Sequence, residues 1–531
     1  MTASVAAVLR RPGALLGWAG ILAVVAVAGA PVLVLASSVL DPSTEVWAEL
    51  WRTRLPGMVA ETAALLVGVV AGTVALGTSL AWLVSAYSFP GRRAVGWALV
   101  APLAIPGYVG GFAWLDTLAG VVGARGVRSL WLCAAVLVLT LYPYVYLFAR
   151  AAFAGLGAGT VAAARSLGTG PIGVFLRVAV PACRPAIAAG AALVAMEVLT
   201  DIGTVRLFNV STLADGVMRV WFGSGERDAA TEVATALTGV AVLVIACERL
   251  TRRGARHARA VAGAVISPQS LGAGRSAAAL CACAAVIAVA VVVPVARLVA
   301  WSIETARRGG AETVAGGVGH HAGSTLLLAS IAAALCIGVG TVLALAVGHR
   351  GRAARAVGRI ATLGYAMPGP VVAVGVVVTL AAVDRWRVLP SGFVLVGSIA
   401  GLVAALAVRF LAVGYQGAEA GLDRVPRNAV DSARVLGSGP MRAAIAVELP
   451  AIRFGLLAAV ALLFVDMVKE LPITLLLRPF GVDTLSVWVW QATSESLWAQ
   501  AAVPSLVIVA IGMAAVGLLL VALERGAEVV P

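Results

Sequence analysis

One octapeptide occurs twice in this chain of 531 residues. Residues 164–171 read Ala-Arg-Ser-Leu-Gly-Thr-Gly-Pro, and residues 433–440 read Ala-Arg-Val-Leu-Gly-Ser-Gly-Pro, 269 positions later. The same offset continues without a gap through four further pairs: Pro181 and Pro450, Arg184 and Arg453, Glu197 and Asp466, Asp201 and Glu470. Upstream, Thr62 pairs with Thr325, Gly91 with Gly351, and Pro106-Gly107 with Pro368-Gly369, at slightly shorter offsets. The sequence therefore predicts a tandem duplication.

The composition is that of a membrane protein. Hydrophobic residues make up 61% of the chain and charged residues only 12%, whereas a soluble protein has about 25% charged residues. A soluble enzyme is excluded, because so few polar groups cannot cover its surface. Apolar runs long enough to cross a bilayer lie near 14–38, 58–87, 94–121, 130–149, 185–205, 229–247, 276–301, 323–348, 357–383, 391–413, 454–477 and 499–523. We predict an all-α polytopic membrane protein with about twelve transmembrane helices.

The basic residues indicate the orientation. With the N-terminus inside, most arginines, including the cluster from Arg249 to Arg275, fall on the cytoplasmic side, and most acidic loop residues fall outside. This positive-inside bias predicts that both termini are cytoplasmic, and it explains the net charge of +14 without nucleic acid. We expect a first half at 1–250, a cytoplasmic linker at 251–275 and a second half at 276–531. Each half has six helices, so the repeats are parallel.

The repeated segments predict two rigid projections on the cytoplasmic side, near 155–182 and 415–450. Each reads as a helix, a glycine, a short amphipathic segment and a proline. Glycine at the joint permits a left-handed turn, and proline is tolerated where a helix begins. The residues that define the projections are Ala162, Ala163, Ala164, Gly168, Pro181, Asp431, Ser432, Ala433, Gly437 and Pro450.

This pattern resembles the EAA loop of the permeases of binding-protein-dependent ABC importers, the MetI-like type. In that loop Glu-Ala-Ala, three residues, glycine, nine residues and Ile-x-Leu-Pro form a coupling helix that docks on an ATPase subunit. Here the glutamate is replaced by Ala162 in the first half and by Asp431 in the second, and Ser432 replaces the first alanine. The resemblance implies two ATPase subunits, which bind ATP and magnesium, and an extracytoplasmic solute-binding protein as partners.

A second resemblance concerns the solute. The stretches from Glu197 to Val205, with Trp221-Phe222-Gly223, and from Lys469 to Leu485 are similar to the two halves of fused ferric-iron permeases. Fused thiamine permeases and paired permeases for polyamines, sulfate or phosphonates share the architecture and remain alternatives. An ion-coupled secondary transporter is a further alternative, although it does not need two equivalent projections on one face.

The chain itself contains no nucleotide site of the phosphate-loop type. That site requires Gly-x-x-x-x-Gly-Lys-[Ser/Thr], and the only lysine of the chain, Lys469, lies between Val468 and Glu470. The chain is therefore expected to be no enzyme and to bind no cofactor. We also expect no metal site, because the adjacent His320 and His321 lack a neighbouring group of carboxylates. The six cysteines form no Cys-x-x-Cys pair.

Five charged residues fall at the outer ends of short apolar runs, where burial is expensive unless a charge is paired or hydrated. They are Glu197, Asp201, Asp466, Lys469 and Glu470. Helical spacing would place two acids of like charge four residues apart in each half, with Lys469 as the only internal countercharge. An ionic lock between the halves, a lining of the transport pathway and exposure at the outer interface all remain open. Pro102, Pro106, Pro368 and Pro370 are expected to kink the third and ninth spans.

Overall fold

The computed structural model describes residues 12–40, 44–123, 128–223, 227–253, 268–309, 311–348, 358, 360, 362–386, 390, 394–423 and 425–528. Most of the arginine-rich linker, Gly351 and the arginines near 350–359 lie outside the described residues. Nearly all described residues are helical, as predicted. The one described exception with strand geometry is a short parallel pair of β1 (Tyr87–Ser88) with β2 (Gln269–Ser270).

Fifteen helices precede residue 310 in the described chain. They are α1 (Pro12–Leu40), α2 (Thr44–Thr53), α3 (Leu55–Ala86), α4 (Arg92–Ala98), α5 (Gly107–Val122), α6 (Leu130–Ala154), α7 (Ala158–Ser166), α8 (Pro171–Val174), α9 (Val180–Ala182), α10 (Arg184–Thr200), α11 (Gly203–Leu207), α12 (Leu213–Gly223), α13 (Arg227–Arg253), α14 (Ala273–Ile287) and α15 (Val293–Arg307). A 3₁₀ turn (Ala101–Ala104) and two π turns (Phe175–Ala179 and Ala288–Val292) lie between them.

The later part of the described chain contains nine further α-helices. They are α16 (Ala311–Gly348), α17 (Gly369–Arg385), α18 (Ile399–Leu422), α19 (Arg427–Val435), α20 (Pro440–Ala443), α21 (Leu449–Val468), α22 (Pro472–Leu477), α23 (Leu485–Ser494) and α24 (Trp498–Glu528). A 3₁₀ turn (Leu363–Ala366) precedes α17, and a π turn (Ala444–Glu448) joins α20 to α21.

Eight helices of the described part are long and apolar enough to cross a membrane, or ten if each of two bent helix pairs counts as one span. The protein is thus polytopic and α-helical. Helix α1 contains only a shorter apolar stretch, Gly20–Pro31, and α17 has 17 residues and follows a partly undescribed segment. The number twelve therefore stays a prediction.

In each predicted half, one proline lies at a break between helical segments. Arg92–Ala104 and Gly107–Gly120 meet at 92°, with Pro106 in extended geometry between them. Pro368 has nearly the same dihedral angles immediately before α17. The residue before a proline is pushed out of the helical region, so the helix breaks there. Pro102 and Pro370, which we also expected to kink a span, lie instead in the first turns of helical segments.

The described chain separates into two compact units that do not follow the order of the sequence. Unit 1 comprises residues up to 42, 320–484 and 514–531, and unit 2 comprises 43–319 and 485–513. In unit 1, α1 packs on α17, and a Cβ at Gly375 would lie 2.9 Å from the Pro31 carbonyl oxygen. The first helix of the chain thus packs with helices of the second repeat.

The converse exchange occurs inside unit 2, where α15 of the second repeat packs on α5 of the first. The rings of Phe112 and Trp301 stack with centroids 5.6 Å apart, and Arg297 forms an ion pair with Asp116. The two compact units therefore do not coincide with the predicted halves, because each unit contains helices from both halves of the sequence.

Close helix approach within the units depends on small residues, as is common in membranes. In unit 2, a Cβ at Gly77 would lie 2.9 Å from the Tyr142 carbonyl oxygen. In unit 1, a Cβ at the corresponding Gly340 would lie 2.5 Å from the backbone nitrogen of Tyr415. These two glycines, which correspond in the predicted duplication, thus make similar close contacts with a neighbouring helix.

We predict that Gly340→Ala destabilises the protein by about 1–3 kcal/mol, because the added methyl group meets rigid backbone atoms and forces α16 and α18 apart. Gly338→Ala, in the same helix but with open space around its Cβ, is the matched control. Thermal unfolding of the detergent-solubilised protein should show a lower midpoint for Gly340→Ala alone. Equal midpoints for the two variants would contradict this packing.

Candidate functional site

The first projection, residues 158–182, is hereafter called the first elbow. Helix α7 ends at Ser166, and Gly168 adopts a left-handed conformation with φ of +81°. The Gly168 amide donates to the Arg165 carbonyl at 2.9 Å, and the Thr169 amide donates to the Ala164 carbonyl at 3.1 Å. This is the Schellman arrangement, which satisfies the last carbonyl groups of a helix while the chain turns away.

The second elbow, residues 427–450, repeats this geometry. Gly437 has φ of +86° after α19. Its amide donates to the Arg434 carbonyl at 3.0 Å, and the Ser438 amide donates to the Ala433 carbonyl at 3.0 Å. The prediction that glycine forms a left-handed joint in each repeat is confirmed.

A short helix follows each glycine, then a π turn, and then Pro181 or Pro450 in the first turn of the next α-helical segment. Proline in a continuous helix clashes with the carbonyl four residues earlier. That residue is Arg177 or Ala446, and each lies in the π turn. The wider turn accommodates the ring, and the proline lies in the first turn of a helical segment, as the sequence predicts.

Each elbow exposes three large apolar side chains at matched positions, here called the apolar triad. The exposed fractions are 85% for both Leu167 and Leu436, 73% and 75% for Ile172 and Met441, and 57% and 58% for Leu176 and Ile445. Exposed apolar clusters mark interaction sites. The two elbows thus present apolar side chains of similar exposure at matched positions.

The remaining predicted elbow residues lie beside the triads. Ala162, Ala163, Asp431 and Ser432 are exposed, and Ala164 and Ala433 are half-buried. The first elbow has no acid from 155 to 184, whereas the second presents Asp431 at the position of the family glutamate. The two elbows therefore share apolar chemistry and differ in charge.

The charged residues beyond the elbows have structural partners that the sequence did not reveal. Asp201 follows the end of α10 and caps α11: its Oδ1 accepts the Thr204 amide at 2.8 Å and the Val205 amide at 3.1 Å. The Thr204 hydroxyl donates to Oδ2 at 2.7 Å. A carboxylate at a helix N-terminus is stabilised by free amides and by the helix dipole.

Glu470 does the same for α22. Its Oε1 accepts the Ile473 amide at 2.8 Å, and its Oε2 accepts the Thr474 amide at 3.0 Å and the Thr474 hydroxyl at 2.8 Å. In addition, Nη1 of the buried Arg409, in α18, lies 3.4 Å from Oε1. Lys469 is therefore not the only internal countercharge, and that expectation was wrong.

Lys469 pairs locally with Asp466, with Nζ 3.0 Å from Oδ1. The second acid of each expected pair lies beyond the end of its helix, since α10 ends at Thr200 and α21 ends at Val468, although the Asp201 amide still donates to the Glu197 carbonyl at 3.0 Å. Glu197 remains half-buried in α10. The roles of these charges as a lock between halves or as a pathway lining stay hypotheses.

No group of three or more His, Cys, Asp or Glu side chains within the described residues could hold a metal ion. The rings of His320 and His321 are 5.6 Å apart and nearly perpendicular.

A second repeated motif escaped the sequence analysis. Residues 206–213 read Arg-Leu-Phe-Asn-Val-Ser-Thr-Leu, and residues 478–485 read Arg-Pro-Phe-Gly-Val-Asp-Thr-Leu. Asn209 and Gly481 both have positive φ, so the motif forms a similar turn twice. Phe208 is buried, whereas Phe480 is fully exposed. Comparing the chain with itself at an offset of 272 would have found this motif.

We predict that Arg409→Met lowers the stability by about 3–5 kcal/mol, because it leaves Glu470 buried without its cation. Adding Glu470→Gln should restore part of the loss. The exposed pair Arg308–Glu304 provides the control, since Arg308→Met should cost only about 0–1 kcal/mol. Thermal unfolding measures all three, and a double variant less stable than Arg409→Met would contradict the pairing.

The chain is similar in sequence to several known proteins. Residues 337–527, which include the second elbow, match the family "Binding-protein-dependent transport system inner membrane component". The chain is 25% identical to an Fe(3+)-transport system permease protein of Haemophilus influenzae, over 87% of this chain and 88% of that protein.

Two other relatives correspond to only part of the chain. A probable molybdenum ABC transporter permease protein of Haloferax volcanii is 31% identical, over 40% of this chain and 79% of its own length. A sulfate transport system permease protein of Salmonella typhimurium is 30% identical, over 33% of this chain and 67% of its own length. The chain belongs to the family of binding-protein-dependent transport system inner membrane components, the permeases of ABC importers, and is a transport component rather than an enzyme.

Proposed function

We propose that this chain carries both halves of the permease of an ABC importer, and that it docks one ATPase subunit on each elbow. The observation that supports this most strongly is the pair of apolar triads, which match in position and exposure 269 residues apart. Burying a large apolar side chain contributes about 1.5–3 kcal/mol, so each triad offers a substantial docking energy to a partner.

The partners supply what the chain lacks. Its sequence has no phosphate-binding loop, since Lys469 stands in Val-Lys-Glu, and so ATP and magnesium would be bound by the ATPase subunits. An extracytoplasmic binding protein would deliver the solute. The distribution of arginines supports cytoplasmic elbows and cytoplasmic termini in the inner membrane.

Ferric iron is the solute we propose to test first. The Haemophilus influenzae relative named for Fe(3+) transport aligns with nearly the whole of both chains, whereas the molybdenum and sulfate relatives align over a smaller share of this one. Thiamine, polyamines and phosphonates remain alternatives. Uptake of labelled iron, molybdate and sulfate into proteoliposomes that contain the complete transporter and its binding protein would show which of these solutes is transported. Uptake of an oxyanion but not of iron would contradict the iron proposal.

Secondary transport driven by ions is less well supported. Two of the acids that such a mechanism would need as proton carriers, Asp201 and Glu470, each accept hydrogen bonds from backbone amides and a threonine hydroxyl. Glu470 is also paired with Arg409. Their geometry is that of fixed helix caps.

We predict that Gly437→Val uncouples ATP hydrolysis from transport. A side chain at φ of +86° costs about 1 kcal/mol and re-aims the helix that carries Met441 and Ile445. Gly439→Val is the matched control, because Gly439 has no positive φ and no atom within 4 Å of an added Cβ. The measurement is the ratio of ATP hydrolysed to solute transported in proteoliposomes, and an unchanged ratio for Gly437→Val would remove the elbow from the mechanism.

A further inference from the structure

The two elbows are joined to the following spans in different ways. In the first half, the helix Pro171–Ala182 meets Arg184–Thr200 at an angle of 76°. In the second half, Met441–Val468 is one continuous helical span of 28 residues. The difference is notable because the elbows themselves match closely, in glycine conformation and in the exposure of the apolar triad.

A single residue position explains the difference. Pro185 in the first half corresponds to Phe454 in the second, at the common offset of 269. Pro185 has no amide hydrogen to donate to the Pro181 carbonyl, and its ring would clash with that carbonyl in a continuous helix. Phe454 has the amide hydrogen and no such ring.

Cys183 forms the joint that results. Its amide donates to the Ala179 carbonyl at 3.0 Å, so it ends one helix. Its own carbonyl accepts the Ala186 amide at 3.0 Å and the Ile187 amide at 3.1 Å, so it also begins the next. At the end of α9 a backbone amide also donates to the Pro181 carbonyl, whereas Pro185 has no amide hydrogen with which to add a further bond across the joint. This joint can therefore bend with little loss of hydrogen bonding.

The second half has no such joint. This span of 28 residues is about 42 Å long. Its π turn at Ala444–Glu448 has helical dihedral angles on both sides, so the span stays a single rod. Its far end is followed by two charged residues. The first, Lys469, pairs with Asp466. The second, Glu470, pairs with Arg409 and caps α22. A displacement of the second elbow is thus carried to the charged end of its span.

We propose that the importer is driven asymmetrically: the second elbow moves its span as a rigid lever, whereas the first elbow rotates at the Cys183–Pro185 hinge and moves its span less. This inference rests on the proposed docking of ATPase subunits on both elbows. The charges agree with it, since only the second elbow presents an exposed acid, Asp431, at the position where the first has Ala162.

Spin-label distances within each half test the proposal directly. Labels are attached at the matched positions Arg177 and Leu193, or Ala446 and Leu462, in a chain whose six native cysteines are replaced by alanine. Sixteen residues of continuous helix correspond to about 24 Å. In the complete transporter, the distance between 446 and 462 should be the same without nucleotide and with ATP and vanadate, whereas the distance between 177 and 193 should change.

A constant distance in the first half would overturn the hinge, and an equal change in the second half would overturn the rigid lever. Pro185→Ala restores the missing amide and should lengthen the distance between 177 and 193 toward that of the second half. No lengthening would contradict the role of Pro185.

Transport assays supply an independent test. Phe454→Pro introduces the break into the second lever and should lower transport about tenfold or more while ATP hydrolysis continues, because it removes a helical hydrogen bond. Phe454→Ala, which keeps the amide, should transport nearly as the wild type does. Normal transport by Phe454→Pro would overturn the proposal, whereas wild-type protein that shows no ATP-dependent transport at all would instead contradict the proposed function.

Discussion

The left-handed backbone at Gly168 and Gly437 is the constraint on which the rest of the arrangement depends. Each glycine lets a helix end with its carbonyl groups satisfied and lets a second helix leave at an angle. Without that turn, Leu167, Ile172 and Leu176 would not stand together on one exposed face, nor would their counterparts in the second repeat. A soluble surface normally avoids such clusters, and their repetition at matched positions is the observation on which the proposed docking of ATPase subunits rests.

The interior of the membrane spans imposes a second constraint, which concerns charge. Buried carboxylates are expensive in a bilayer unless they are paired, and this protein places Asp201 and Glu470 where free amides at a helix start can bind them. The same arrangement in both repeats suggests that these acids primarily position α11 and α22. In the second repeat Arg409 adds a further partner for the buried carboxylate, with its Nη1 3.4 Å from Oε1 of Glu470.

Features that depend on local chemistry were predictable from the sequence. The helical membrane spans, the glycine joints at Gly168 and Gly437, and the breaks at Pro106 and Pro368 all follow from residue type and spacing. The partner of Glu470 did not, because Arg409 is 61 positions away and its counterpart in the first repeat is Thr140. Self-comparison therefore gave no signal for it.

The packing between helices that are distant in the sequence could not be predicted from the sequence either. The grouping of α1 with α17, and of α15 with α5, depends on which apolar helix faces fit together, and these Ala- and Gly-rich helices offer little to distinguish one face from another. Pro181 lies in the first turn of a helical segment, as expected, but no signal in the sequence indicated the π turn before it, which contains Arg177, four residues before the proline. Pro185, only four positions later, has no such turn before it and does break the helix.

The central claim is that one chain presents two equivalent docking sites for an ATPase. Native mass spectrometry of the purified transporter tests it most directly, because the masses of the intact complex and its subcomplexes give the stoichiometry. The account predicts one copy of this chain with two ATPase subunits. A complex with two copies of this chain, or one in which a single ATPase subunit is bound at saturating ATPase concentration, would contradict it.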